Sequence, residues 1–147
     1  MTNLTYLLTD FSRLLFIKKS NIPRAGLGLY TSKKILKGEI IAEYQGKIYS
    51  WDKCLERAYD EDKEGYVFYI DKEHCIDAYD YPESLARYAN DAEGYYRVKG
   101  IKNNSEYITK NGSVFIVATC DINSYSEIFT PYGEQYWEDF EPDDDMD

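Results

Sequence analysis

Five turn signals cut this chain into pieces suited to short strands. Gly26, Gly38, Gly46, Gly65 and the pair Asn111-Gly112 each break an apolar run. Glycine takes the positive φ angles that tight turns need. Asn-Gly between two alternating runs is a strong type I′ hairpin signal. The pieces between are rich in aromatic and β-branched residues, which marks strands. Residues 14–18, 39–44, 66–71, 75–78, 106–109 and 113–118 read this way. One helix fits over residues 50–59, with Ser50 as its N-cap. The expected fold is mostly β, with several small sheets and little other helix.

A length of 147 residues suits one domain, large enough to bury roughly two thirds of its unfolded surface. No apolar run approaches the ~18 residues of a membrane helix, and Met1-Thr-Asn-Leu lacks the basic start of a signal peptide. Cys54, Cys75 and Cys120 are scattered and odd in number. They suggest reduced, buried thiols in an intracellular protein, not a disulfide frame or a metal site. Net charge is -10, from 17 Lys+Arg against 27 Asp+Glu. Direct nucleic-acid binding needs a basic surface and is not expected. An acidic body attracts basic peptides, although solubility alone would also explain it. Whether two copies pair as a homodimer stays open.

Several residues invite a chemical reading and also a plain one. Gly26 and Gly28 enclose one residue and allow a tight, open backbone, yet no third glycine and no helix follow, so this is not a dinucleotide fingerprint. A simple turn explains the pair equally well. Tyr44, taken alone, is a core tyrosine on a strand. His74 sits in a turn with no nucleophile beside it and reads as a surface histidine, not a general base. The 16 tyrosines suit strand packing, and an aromatic channel could draw on the same residues.

The stretch Leu85-Ala-Arg-Tyr-Ala-Asn-Asp-Ala92 is different. It follows an alternating strand, Cys75-Ile-Asp-Ala78, and a helix-starting Pro82-Glu-Ser-Leu85. Leu85 and Tyr88 share a face, and the segment halts at Asn90-Asp91, a turn-forming pair. A buried turn ending in a side-chain amide suits the fixing of a small polar ligand.

These residues resemble the core signature of SET-domain protein lysine methyltransferases: an Ile-Asp-Ala strand, then Arg-Phe-Ile-Asn-His-Ser-Cys. The match is partial, since Asp91-Ala92-Glu93 stands in place of His-Ser-Cys. Other parts follow in family order. Gly26-Leu-Gly28 resembles the first cofactor loop, and Glu43-Tyr44-Gln-Gly46 the strand ending in Tyr-x-Gly. Tyr66-Val-Phe68 resembles a Tyr-x-Phe strand, and Asn103-Asn104 a Pro-Asn entry to the next strand. Glu127-Ile-Phe-Thr-Pro-Tyr132-Gly133 resembles Glu-Leu-Thr-Phe-Asp-Tyr-Gly, whose tyrosine is catalytic. The likeness spans residues 14–137. It leaves an extension over 1–13 and an acidic tail over 138–147, which is expected to be disordered.

The resemblance implies S-adenosylmethionine as cofactor, bound by Ala25, Gly26, Leu27, Gly28 and Leu29 of the first loop with Tyr66, Arg87, Tyr88, Asn90, Asp91 and Trp137. It implies catalytic roles for Tyr132 and Tyr44, a lysine channel lined by Phe68 and Thr130, and no metal. It also implies that the C-terminal segment threads beneath an earlier loop, bringing Asn90 and Tyr132 together. The substrate would be a basic protein segment such as a histone tail. Methyl transfer to an amine asks for alignment. A free lysine, with a pKa of about 10.4, must lose its proton, which a dry aromatic channel favours by desolvation. The competing reading is a binding module that keeps the fold without the chemistry. Tyr44, Arg87, Asn90 and Tyr132 together favour the enzyme.

Overall fold

In the computed structural model the described residues are 14–60 and 66–133. The 1–13 extension, the Gly65 turn, Trp137 and the acidic tail lie outside them. Among the described residues nine strands run in the order β1 (Leu15–Lys19), β2 (Leu27–Thr31), β3 (Ile40–Glu43), β4 (Lys47–Tyr49), β5 (Val67–Asp71), β6 (His74–Asp77), β7 (Ser105–Lys110), β8 (Ser113–Ala118) and β9 (Glu127–Ile128). Helix α1 (Trp51–Asp60) lies between β4 and β5, and a 3₁₀ turn (Leu85–Tyr88) between β6 and β7. The strands form three small sheets, ordered β1-β2-β9, β3-β8-β7 and β4-β6-β5, with every pairing antiparallel.

The hairpin β7–β8 shows the sequence acting locally. Lys110 pairs with Ser113, and the two residues between them, Asn111 and Gly112, have φ of 52° and 79°. A type I′ turn needs positive φ at both positions, and it matches the twist of the flanking strands. Helix α1 begins as expected. The Ser50 hydroxyl accepts the Lys53 N–H at 3.2 Å, and so satisfies a first-turn donor that has no partner within the helix.

Register decides what each face of the β4-β6-β5 sheet covers. Ile48 and Phe68 both pair with Ile76, so the three share a face. Phe68 and Ile76 turn it to the central core. Tyr49, Cys75 and Tyr69 share the opposite face, and α1 lies over it. Trp51 packs edge-on to Tyr69 at 5.5 Å, and the Arg57 guanidinium sits 4.7 Å above the Tyr49 ring. The central core draws on all three sheets: Leu29 and Ile128, Ile41 and Ile116, and Ile76, with Ala86 and Ala89 of the 3₁₀ region. Burying each large aliphatic contributes about 1.5–3 kcal/mol.

Three expectations change. Leu27, Gly28 and Leu29 form no open loop. They begin β2, the central strand of its sheet, and Leu29 is fully buried in the core. Pro82 starts no α-helix. The chain makes only the 3₁₀ turn, and Ala89 is already extended (φ -67°, ψ 128°), because the following residues pair with the C-terminal segment. Cys54 and Cys75 are buried, but Cys120 is exposed in the turn after β8, where no sheet covers it.

Arg57 is the buried cation that ties α1 to the sheet. Its Nε donates to Asp77 Oδ2 and its Nη2 to Asp80 Oδ2, both at 2.9 Å. Asp77 is itself buried, whereas Asp80 is half exposed. Removing one partner of a buried pair costs about 3–5 kcal/mol. Asp77→Ala is expected near the lower end, since Asp80 stays, and urea unfolding followed by circular dichroism measures it.

Candidate active site

Residues 127–132 pass between two earlier stretches of chain. On one side, Asn104 and Ser105 hold them. The Phe129 N–H donates to Asn104 Oδ1 at 2.8 Å, Asn104 Nδ2 donates to the Glu127 carbonyl at 2.9 Å, and the Ser105 hydroxyl donates to the Phe129 carbonyl at 2.7 Å. Residues 89–91 hold them on the other side. The Thr130 N–H donates to the Asn90 carbonyl at 2.9 Å, and Asn90 bridges Phe129 in parallel. The Tyr132 N–H donates to Asp91 Oδ2 at 3.0 Å. Inward-facing N–H groups thus fall on 130 and 132. Pro131, which has none, faces out and is exposed, so its missing donor costs nothing.

Asn90 is where three stretches meet. Its Nδ2 donates to the Leu27 carbonyl at 2.9 Å, drawing in the start of β2. The Tyr132 hydroxyl donates to the Ala89 carbonyl at 2.7 Å and lies 3.4 Å from Asn90 Oδ1. The expected meeting of Asn90 and Tyr132 is therefore present, through both main chain and side chains. Thr130, in the same segment, is fully buried, and its hydroxyl has no partner among the described residues.

Beside this knot stands an aromatic triangle. Tyr44 lies 6.0 Å from Phe68 and 6.1 Å from Tyr107, and Phe68 meets Tyr107 at 4.8 Å. Burial pushes the Tyr44 hydroxyl far above the ordinary tyrosine range, with Tyr107 and Asp77 adding to it. Burial raises Tyr107 as well, and the Asp91 charge adds to that shift. Both phenols therefore stay neutral at physiological pH. Tyr107 is absent from the sequence-based site. Only the register that carries β7 across β8 brings it against Tyr44. An open groove of about 430 Å³ runs past Tyr44, with Glu43, Ile48, Ile76, Tyr81 and Glu83 in its walls.

Arg87 organises a second aromatic group. Its guanidinium stacks 4.4 Å above Tyr66 and 4.8 Å above Tyr88. One terminal nitrogen donates to the Ala78 and Tyr79 carbonyls, each at 2.8 Å, and the other donates to the Tyr88 hydroxyl at 2.7 Å. Only Nε is buried without a partner among the described residues. His74 is exposed and bonded to Asp71 at 2.9 Å, on the β5–β6 turn.

The loop before β2 is fixed by a carboxylate that the sequence does not reveal. Glu127 is 4% exposed. It accepts the Ser20 hydroxyl, the Asn21 N–H at 2.8 Å and the Tyr30 hydroxyl at 3.3 Å. A Cβ on Gly28 would lie 2.9 Å from the Glu127 carboxyl carbon and closer still to one oxygen. Gly28 is therefore needed for close approach. Gly26, with φ of 72°, serves the turn and has open space where a Cβ would stand.

The SET domain family model matches residues 26–133. The chain belongs to the SET domain family. It is 29% identical over 135 residues to histone-lysine N-methyltransferase EZH2 of Chaetomium thermophilum, spanning 85% of this chain and 8% of that protein. Among solved structures it resembles ctPRC2 in complex with H3K27me3 and H3K27M, with a TM-score of 0.66 at 24% identity, over 82% of this chain and 14% of that one. It also resembles ctPRC2 in an autoinhibited conformation bound to S-adenosylmethionine, with a TM-score of 0.63 at 25% identity, over 82% and 15%. The chain thus spans under a sixth of these relatives. The family accounts for the mostly-β architecture of small sheets. No helix among the described residues is long and apolar enough to cross a membrane.

SET-domain methyltransferases use S-adenosylmethionine, and the residues present fit it. The open space at Gly26, the second N–H of the Asn90 amide, the aromatic faces of Tyr66 and Tyr88, and the orphaned Thr130 hydroxyl offer polar and π contacts to a ligand with a zwitterionic end and a cationic sulfur.

The Glu127 clamp gives a pH prediction. Burial, then the Glu127 charge and its hydrogen bond, push the Tyr30 hydroxyl up to about 12. An unfolded tyrosine ionises near pH 10. The stability that Tyr30 contributes is thus fully present below about pH 10 and is lost as pH rises through about 12. Tyr30→Phe lacks that titration. Urea unfolding at pH 8 and near pH 11.5 should show the gap between parent and variant narrowing at the higher pH.

Proposed function

We propose that this chain transfers a methyl group from S-adenosylmethionine to a lysine amine in a basic, histone-like protein segment. The observation that carries the reading is the Tyr132 hydroxyl, held at 2.7 Å on the Ala89 carbonyl beside the Asn90 amide by a threaded segment. A scaffold needs no half-buried phenol fixed at that point. Family membership supports the reaction class. Net charge of -10 and the two carboxylates beside Tyr44 support a cationic partner.

The cofactor supplies an electrophilic methyl on a sulfonium. The chain's own residues do the rest. Residues 25–28, Asn90 and the Tyr66 and Tyr88 rings hold the cofactor, and Arg87 fixes those rings through its stacking and its bonds to the Ala78 and Tyr79 carbonyls. Residues 90 and 91 offer main-chain groups, and Trp137 lies beyond the described residues. Leu29 helps only through its backbone, since its side chain belongs to the core. Tyr44, Phe68 and Tyr107 surround the target amine, exclude water and favour its neutral form by desolvation. Thr130 closes the inner end. Tyr132 and Tyr44 orient the amine's lone pair, and no strong base is required. A phenol with a reference pKa of about 10 serves alignment, not proton abstraction.

Two variants test this reading. Asn90→Ala removes the amide that faces the cofactor and also releases Leu27. Cofactor binding by calorimetry should weaken by about 1–3 kcal/mol, with thermal unfolding measured beside it. Tyr132→Phe keeps the ring and deletes one positioned oxygen, at a cost of about 2.7–4 kcal/mol in the transition state. Turnover on basic peptides with labelled cofactor should fall roughly a hundredfold or more, with cofactor affinity little changed. Parental turnover in a stable Tyr132→Phe protein would sink the assignment. A parent that binds cofactor yet methylates no basic substrate would mark a binding module.

A further inference from the structure

Asp91 holds the backbone of the C-terminal segment with its side chain, whereas Ala89 and Asn90 meet that segment through their carbonyls. It is 6% exposed. Oδ2 accepts the Tyr132 N–H at 3.0 Å, and Oδ1 accepts the Glu93 N–H and Asn103 Nδ2, each at 2.9 Å. Asn103 is fixed in turn, because its Oδ1 accepts the Ala92 N–H at 2.8 Å and its N–H donates to Glu93 Oε2 at 3.0 Å. The carboxylate is therefore pinned from behind while its other oxygen grips Tyr132. The tyrosine is held at two points, by the amide on Asp91 and by the hydroxyl on Ala89. The residues flanking Asn90 thus fix both the backbone and the phenol of residue 132.

We propose that the Asp91 side chain is the positioning group for Tyr132, acting on the reaction through the direction of that phenol and not through its own contact with cofactor or substrate. The proposal rests on the methyl-transfer reading above. It also assigns a task to the position at which this chain departs from the family signature. Bonds to charged groups are the stronger ones, and only a carboxylate accepts on both oxygens here. An asparagine has one acceptor and one donor, so it would set N–H against N–H either at Tyr132 or at the Glu93–Asn103 side. Rotation cannot relieve both.

Asp91→Asn, nearly identical in size, is the test. Turnover on a basic peptide with labelled S-adenosylmethionine should fall at least tenfold, while the KM for each substrate and the calorimetric cofactor affinity stay within about twofold. Exchange of the Tyr132 amide with deuterium, followed by NMR, should quicken at least tenfold while the amides of β7 and β8 keep their protection. In a Tyr132→Phe background, the same change should cost less than threefold further, since the phenol it directs is already without its hydroxyl. Costs that multiply in the double variant, or a loss spread evenly over KM and affinity, would mean a structural role only and overturn the proposal. So would an unchanged Tyr132 exchange rate. The exchange measurement needs no turnover. An inactive parent whose Tyr132 amide is still released by Asp91→Asn therefore defeats the methyl-transfer reading without rescuing or hiding the Asp91 contact.

Discussion

The hydrogen bond from the Thr130 N–H to the Asn90 carbonyl is the contact on which the rest of this molecule hangs. It joins two stretches 40 positions apart (130 minus 90), and loop closure over that span carries an entropic cost that local turns do not. Its benefit is that both partners are main chain. Side chains on either side can change while the rung persists. Once it forms, Phe129 falls into register with Asn104 and Ser105, Tyr132 reaches Ala89 and Asp91, and Asn90 is free to draw in Leu27. The 3₁₀ turn stops at Tyr88 for the same reason. Ala89 has to be extended if Asn90 is to offer its carbonyl to the threading segment.

Three buried carboxylates stabilise this arrangement in two ways. Asp77 faces a buried cation, Arg57, and fastens the helix to its sheet. Glu127 and Asp91 are met by neutral hydroxyl, amide and main-chain donors in the contacts described. Burying a charge is costly unless hydrogen bonds replace its water, and Glu127 and Asp91 each accept at least three. Such sites resist substitution, because removing the carboxylate leaves several donors facing nothing. One fixes the loop before β2, the other the segment carrying Tyr132. The two stretches that approach Asn90 are thus each held by a buried anion, one on β9 and one beside the Asn90 rung.

The aromatic residues divide between packing and environment. Tyr44, Phe68 and Tyr107 meet in a triangle whose burial raises the two tyrosine hydroxyls. Tyr66 and Tyr88 enclose the Arg87 guanidinium. A cation between two π faces gains from both, and here it also pins two carbonyls. The same residue type thus builds a neutral, dry lining in one place and a rigid cationic stack in another. The difference lies in what the neighbouring backbone offers.

The sequence by itself determined what depends on near neighbours. Asn111-Gly112 set the β7–β8 hairpin because the φ signs it needs are intrinsic to those two residues. Ser50 started the helix because its hydroxyl reaches only three residues ahead. Alternation gave the strands, and the spaced family pattern pointed to Asn90, Tyr44 and Tyr132 as parts of one site. Tertiary structure decided what depends on residues far apart in the chain. Gly28 read as part of a tight, open turn, and it proved to be the space that a buried Glu127, 99 positions on (127 minus 28), must occupy. The burial of Glu127 and Asp91 had no signal in the sequence, since nothing local distinguishes a carboxylate that will be buried from one that will not. Tyr107 was one strand tyrosine among 16 until the register of β7 on β8 turned it towards Tyr44. A side chain's chemistry is written in the sequence, but the water it loses and the donors it gains exist only once the segments are threaded together.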